Sequence, residues 1–264
     1  MSAIVFLGGG RITSALVAGL RLARYKQRII VHDINSRKLR DLRRAYGVEV
    51  EPDPHSAVNQ AKLLVIAVRP GSVGGLLQQI GPLDRPLAAV SLAAGIPLAS
   101  LRTGLPPPVC WARAMPSPVC RSGRGLTALT FGRSMPSRVR REVVEFFSKV
   151  GAVLEISESR FDAFTVTYSS SHGYHALAAL AEAAQKLGLD RKTSLTAAAH
   201  ALADGIGAWR EGEIPLDALI HEAATPGGIA AAVMDAMDRA GYSRVIEKGL
   251  EAGRTRARRN AKAG

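Results

Sequence analysis

The sequence predicts an α/β protein in which an N-terminal, Rossmann-like, doubly wound parallel sheet is followed by an all-helical C-terminal domain. Three observations carry this. Apolar runs alternate with helix-patterned stretches over the first part of the chain. A glycine turn joins the first strand to the first helix. Beyond about residue 157 strand-like runs stop and alanine becomes dense. Strand–helix alternation is the signature of parallel sheets built from βαβ units.

The elements follow in order. Ala3-Ile4-Val5-Phe6-Leu7 is a buried strand that ends in Gly8-Gly9-Gly10, and Arg11-Ile12-Thr13-Ser14 opens a helix. Glycines let the backbone turn tightly and approach a diphosphate, which the free N–H groups of the helix start then face. The third small position of this fingerprint is Thr13 rather than Gly or Ala. Arg28 to His32 reads as the second strand, and Asp33 closes it about 25 residues after Gly8. That is close to the roughly 20-residue spacing of a carboxylate that accepts ribose hydroxyls. Asp33 repels a 2′-phosphate and so favours NADH, although Arg37 and Lys38 stand near enough to neutralise one. Asp33 also suits the cap of the next helix, which starts near Ser36.

Val48 to Val50, Leu63 to Val68, Leu87 to Leu92 and Val109 to Ala112 read as further strands, with helices over residues 39–46 and 72–80 between them. Ligands of such sheets bind beyond the carboxyl ends of the strands. Val68-Arg69-Pro70, Ala93-Ala94-Gly95 and the proline-stiffened loop Arg113-Ala114-Met115-Pro116-Ser117-Pro118 are therefore expected near the cofactor. The domain boundary falls near residue 157, giving 1–157 for nucleotide binding and 158–264 for the helical domain. Residues 160–189, 191–211, 215–223 and 228–258 read as helices. Long, alanine-rich helices approach closely and complete their core by dimerising.

Composition narrows the class. At 264 residues and 47% hydrophobic content the chain buries a substantial core, yet no apolar run reaches a membrane span. No signal-peptide pattern precedes the glycine turn, and Cys110 and Cys120 are too few for a disulfide framework. Both point to the cytoplasm. The net charge of +13 draws heavily on Arg254, Arg256, Arg258, Arg259 and Lys262. With only 5% aromatic residues and no recognition motif, nucleic-acid binding is not expected. His172 and His175 share a helix face, but no third ligand completes a metal site.

The order of segments resembles the pyrroline-5-carboxylate reductase family over nearly the whole chain. The resemblance runs from the glycine turn through Ala67-Val68-Arg69-Pro70, Ser91-Leu92-Ala93-Ala94-Gly95, Arg113-Ala114-Met115-Pro116 and Gly123 to Ala128. It continues through Glu158, Asp162-Ala163-Phe164-Thr165, Tyr174 and Thr225-Pro226-Gly227-Gly228. It implies hydride transfer from NAD(P)H to the C=N bond of a cyclic imino acid, giving proline. It also implies a helical dimerisation domain, with a dimer or a larger assembly built from it. Gly8, Gly10, Arg11, Ile12, Asp33, Val68, Arg69, Pro70, Ala94, Met115 and Ser117 then form the cofactor side.

The substrate side departs from the family. Ser117 stands where the family has Asn. Tyr168 to Tyr174 replaces its Ser-Gly-Ser-Gly-Pro-Ala-Tyr segment, and Ile229-Ala230 replaces two loop threonines. Ser170, Ser171, Thr225, Gly227 and Gly228 remain as candidate donors to a substrate carboxylate, and Tyr168 and His172 as candidate proton donors. The altered loops fit a related imine or a looser specificity. A nucleotide-binding protein without catalysis, acting through a partner, is the alternative.

Overall fold

The computed structural model describes residues 3–263, and side chains as far as residue 261, so the Lys262 side chain of the basic tail lies outside the described residues. The chain divides into two compact units, residues 1–168 with 252–264, and residues 169–251. The sequence boundary at 157 instead coincides with the start of the helix Glu158–Thr167.

The first unit runs β1 (Ala3–Leu7), α1 (Arg11–Leu22), β2 (Ile29–His32), α2 (Ser36–Tyr46), β3 (Glu49–Val50), α3 (Pro54–Asn59), β4 (Ala61–Ile66) and α4 (Val73–Ile80). It continues with β5 (Leu87–Ser91), α5 (Leu98–Gly104), β6 (Val109–Pro116), β7 (Gly125–Phe131), α6 (Ser137–Ser148), β8 (Gly151–Glu155) and α7 (Glu158–Thr167). The strands form an eight-stranded sheet in the order β3-β2-β1-β4-β5-β6-β7-β8.

Side chains alternate across a strand, and both faces here are covered. Ile4, Phe6, Val31 and Val65 pack with Leu16 and Leu20 of α1, Leu42 of α2 and Phe147 of α6. Val5, Leu7, Leu64 and Ile66 pack with Val58 of α3, Leu77 of α4 and Leu101 of α5. Burial on both faces explains why β1 and β4 read as continuous apolar runs. Chain order reverses between β1 and β4, so their carboxyl ends frame the crevice of a doubly wound sheet.

The sheet departs from all-parallel at one pair. β6 pairs with β7 antiparallel, Met115 opposite Ala128 and Pro116 opposite Thr127. The connection is one 3₁₀ turn, Pro118–Ser122, too short for the crossover that a parallel pair requires. This corrects the expected Arg113–Pro118 loop. Its first four residues, Arg113 to Pro116, are strand, because β7 supplies a ladder and Pro116 costs a donor only at the strand end. Strands β7 and β8 and helix α5 were not among the elements read from apolar runs.

The second unit holds α8 (Ser170–Lys186), α9 (Arg191–Glu211), α10 (Leu216–Ala223) and α11 (Ile229–Arg239). α12 (Tyr242–Ala263) starts in this unit and ends in the first. Two of the expected helices are broken. The 160–189 helix stops at Tyr168, whose backbone is non-helical, and restarts at Ser170 after the Ser169 hydroxyl caps the Ser171 N–H. The 228–258 helix stops at Ala240 because Gly241 takes φ +81°, a left-handed stop that glycine tolerates without strain. Ala181, Ser194 and Ala198 are buried in this unit, whereas Leu180, Leu195, Ile206, Trp209, Ile220 and Val233 are exposed.

Candidate active site

The glycine turn lies at the switch point. Gly8 takes φ +113°, and a Cβ there would stand 2.5 Å from the Ala67 carbonyl oxygen, so β1 and the end of β4 approach as only glycine permits. The Gly8 N–H is donated to the His32 carbonyl at 2.7 Å and the Gly9 N–H to Asp33 Oδ2 at 2.7 Å. Thr13, fully buried, donates its hydroxyl to the Gly8 carbonyl. The departure at the third fingerprint position therefore stitches the turn together.

Gly10 differs from both neighbours. A Cβ added there meets nothing within 4 Å, and Gly10 caps α1 without a side-chain hydrogen bond. The first N–H groups of α1, on Arg11, Ile12 and Thr13, have no intrahelical acceptor. Open space before uncapped amides at a positive dipole end suits a diphosphate.

Asp33 is bonded to the same turn. Its carboxylate accepts the Gly9 N–H, the Asn35 N–H at 2.8 Å and the Lys38 ammonium at 3.2 Å. Burial pushes the carboxyl upward, but the N–H groups of Asn35 and Gly9 and the Lys38 charge outweigh it and hold it below its ordinary value. The expected cap role falls to Asn35, whose side chain accepts from the Arg37 and Lys38 N–H groups. Lys38 thus joins the site by pairing with Asp33, while Arg37 is exposed.

The remaining cofactor candidates lie at or beyond strand ends of the same sheet. Val68, Arg69 and Pro70 lie after β4, and Ala94 lies after β5. Met115 is in β6, and Ser117 caps the 3₁₀ turn beyond it by accepting the Val119 N–H at 3.3 Å. Tyr168 belongs to this unit. Its hydroxyl accepts the Leu126 N–H at 2.8 Å, at the start of β7 and beside the end of β6. That bond leaves the phenolic proton available for donation.

Behind the site lies a buried cation that sequence spacing did not reveal. Arg113 of β6 is only 2% exposed, with Nη2 2.7 Å from Asp162 and Nη1 3.6 Å from Glu158. Its guanidinium lies 4.4 Å over the Phe161 ring, and its Nε has no hydrogen-bond partner among the described residues.

In the second unit, Ser170, Ser171 and His172 form the first turn of α8, with Ser171 and His172 exposed. Ser171 shares a 2.7 Å hydroxyl contact with Ser169, and the His172 N–H is donated to the Ser169 carbonyl. Thr225, Gly227 and Gly228 lead into α11, with Gly227 at φ +76°. The Gly228 N–H is not a free donor, because it closes the turn onto the Thr225 carbonyl at 2.9 Å. The amides open to a ligand start instead at Ile229, whose exposed side chain stands at the loop surface.

A separate cavity beside α6, lined by Ile4, Tyr25, Lys62, Glu142 and Phe146, opens at the amino ends of the strands. It is remote from the glycine turn, and Lys62 already pairs with Glu142 at 3.2 Å.

These features define a dinucleotide-binding protein of the doubly wound class. Residues 158–260 match the family model for pyrroline-5-carboxylate reductase dimerisation, and residues 3–95 match that for NADP oxidoreductase, coenzyme F420-dependent. A pyrroline-5-carboxylate reductase of Mycobacterium leprae is 30% identical, with 97% of this chain and 96% of that protein covered. One from Corynebacterium melassecola is 35% identical over 74% of each chain. The pyrroline carboxylate reductase of Plasmodium falciparum, solved with NADP bound, shares the fold at a TM-score of 0.87 and 19% identity, covering 98% of both chains. The chain belongs to the pyrroline-5-carboxylate reductase family.

Proposed function

We propose that this protein is an NAD(P)H-dependent reductase that reduces the C=N bond of a cyclic imino acid to the amine. The observation that carries the reading is the uncapped start of α1 behind Gly10, with Asp33 bound to the same turn. The family supplies the substrate class. Gly10, Arg11 and Ile12 hold the diphosphate, and Asp33 accepts the ribose hydroxyls. Val68, Arg69, Pro70, Ala94, Met115 and Ser117 line the strand-end side. The bound cofactor supplies the hydride.

The protein's own part is to bind, orient and protonate. An iminium accepts hydride far better than a neutral imine, so a proton donor at nitrogen is needed. Tyr168 serves this role, because its hydroxyl is pinned by the Leu126 N–H with the proton free; His172 is the second candidate. Ser170, Ser171, Thr225 and Gly227, with the first amides of α11, bind the carboxylate, which is costly to bury unpaired. The negative field of Asp33 favours NADH over NADPH. Homodimers form through the helical unit, and the protein works in the cytoplasm.

The test is binding and turnover with NADH and NADPH on five- and six-membered cyclic imino acids. Cofactor oxidation with at least one imine, at lower KM for NADH, is expected. No oxidation with any imine overturns the reductase reading. Tyr168→Phe lowers kcat by about 10²-fold, the usual worth of a general acid, while His172→Asn keeps it within a few-fold. The reverse ranking assigns the proton to His172. Ile229→Thr with Ala230→Thr restores the family's loop hydroxyls, and raised turnover of the five-membered substrate is expected.

A further inference from the structure

Loop 93–97, between β5 and α5, is tied to two elements far away in sequence. At its exit, the first N–H of α5, on Leu98, is donated to Glu158 Oε1 at 2.6 Å. Glu158 opens α7, and its carboxylate faces Arg113 at 3.6 Å. Near the start of the loop, Asn260 Nδ2 of α12 donates to the Ala94 carbonyl at 3.3 Å. Gly95, at φ +81°, lets α12 come so close that a Cβ there would meet the Ala257 carbonyl oxygen at 2.3 Å.

The first tie is a costly way to satisfy a donor. Helix N–H groups are ordinarily capped by a residue in the same turn, but α5 starts after Pro97, which has no side-chain oxygen. The acceptor comes instead from 60 residues away, and it is oriented by a buried guanidinium with an unpartnered Nε. Buried ion pairs add little stability over well-packed apolar groups. What they supply is a fixed geometry, here the position of loop 93–97 against β6 and α7.

We propose that Glu158, held by Arg113, and Asn260 are positioning residues for hydride transfer. They set the height of loop 93–97, which carries Ala94, against the nicotinamide end of the cofactor. The proposal rests on the cofactor reading above. The chain leaves for the helical unit after α7 and returns through α12, so both ties lie on the elements that carry those crossings.

The experiment compares Glu158→Ala, Glu158→Gln and Asn260→Ala with wild type in steady-state kinetics and NAD(P)H binding. A Val143→Ala core variant in α6 serves as a control for general loss of stability. Glu158→Ala is expected to raise the KM for NAD(P)H about tenfold, the scale of one lost hydrogen bond to a charged group. Glu158→Gln, which keeps an acceptor for Leu98, should fall between it and wild type, and Asn260→Ala should raise that KM a few-fold. The KM for the imine moves less than the KM for NAD(P)H in all three, and Val143→Ala moves neither. If Glu158→Ala does not fold, Glu158→Gln and Asn260→Ala carry the test. Folded variants with wild-type KM for NAD(P)H and wild-type kcat overturn this proposal alone. A wild-type protein that neither binds nor oxidises NAD(P)H overturns the reading beneath it.

Discussion

Gly8 and Gly10 are two residues apart and serve different ends. Gly8 is required by the fold, since its left-handed φ and the Ala67 carbonyl both exclude a side chain. Gly8→Ala should cost about 2 kcal/mol or more, from strain and overpacking together, read as a lower urea midpoint. Gly10 sits at an ordinary extended backbone and faces open space. Gly10→Ala should therefore change stability by under about 0.5 kcal/mol yet weaken NAD(P)H binding at least about tenfold, because the methyl occupies the diphosphate's approach. Equal binding by the two proteins would move the cofactor away from this turn. Asp33 gives a pH signature at the same scale. Its folded pKa lies below the ordinary carboxylate value. Its stabilising contribution is thus complete above the unfolded pKa of about 3.9 and fades as pH falls through the folded value. Asp33→Asn should flatten the acid limb of melting temperature against pH and leave the neutral range with the smaller dependence.

At the scale of elements, close approach decides more than propensity. α1 packs on the 3₁₀ turn after β6 through Gly19, where a Cβ would lie 2.1 Å from the Cys120 carbonyl oxygen. Alanine is the better helix former, yet Gly19→Ala should destabilise by about 1–3 kcal/mol, because the obstacle is backbone and cannot rotate away. Chemical denaturation measures this, and a neutral or stabilising result would show that the helix shifts freely. Legibility in the sequence divides along the same line. The glycine turn, Asp33 and the six mutually parallel strands β1 to β6 were legible because their determinants are local or periodic. Arg113, Glu158 and Asn260 carried no sign of their association. Their contacts span 45 residues or more of chain, and no short-range pattern encodes such a meeting. Tyr168 was legible as a polar newcomer, but its bond to Leu126 depends on the antiparallel turn of β7, which was not.

At the scale of the whole molecule, the second unit exposes Ile206 and Trp209 three residues apart on α9, with Ile220 on α10 also bare. Trp209 is 47% exposed in the single chain, and a large amphipathic ring of this kind is a common anchor of subunit interfaces. Trp209→Glu should raise the dimer dissociation constant by at least about tenfold, read as a shift to monomer mass in light scattering at micromolar protein. Retention of dimer mass would place the interface on another face of the helices.

The amino-acid sequence alone determined the doubly wound sheet, the glycine turn between β1 and α1 and the change to helices near residue 157. Each of these depends on side-chain periodicity or on a few adjacent residues, and such signals are read without knowing what lies across the molecule. The tertiary structure decided the antiparallel β7, the breaks at Tyr168 and Gly241, the use of the Gly228 N–H within its own turn, and the Arg113–Glu158 tie to loop 93–97. Those features arise from groups that meet only once the chain is folded, where burial makes a polar contact costly to leave unmet, a cost the protein bears at Arg113 Nε.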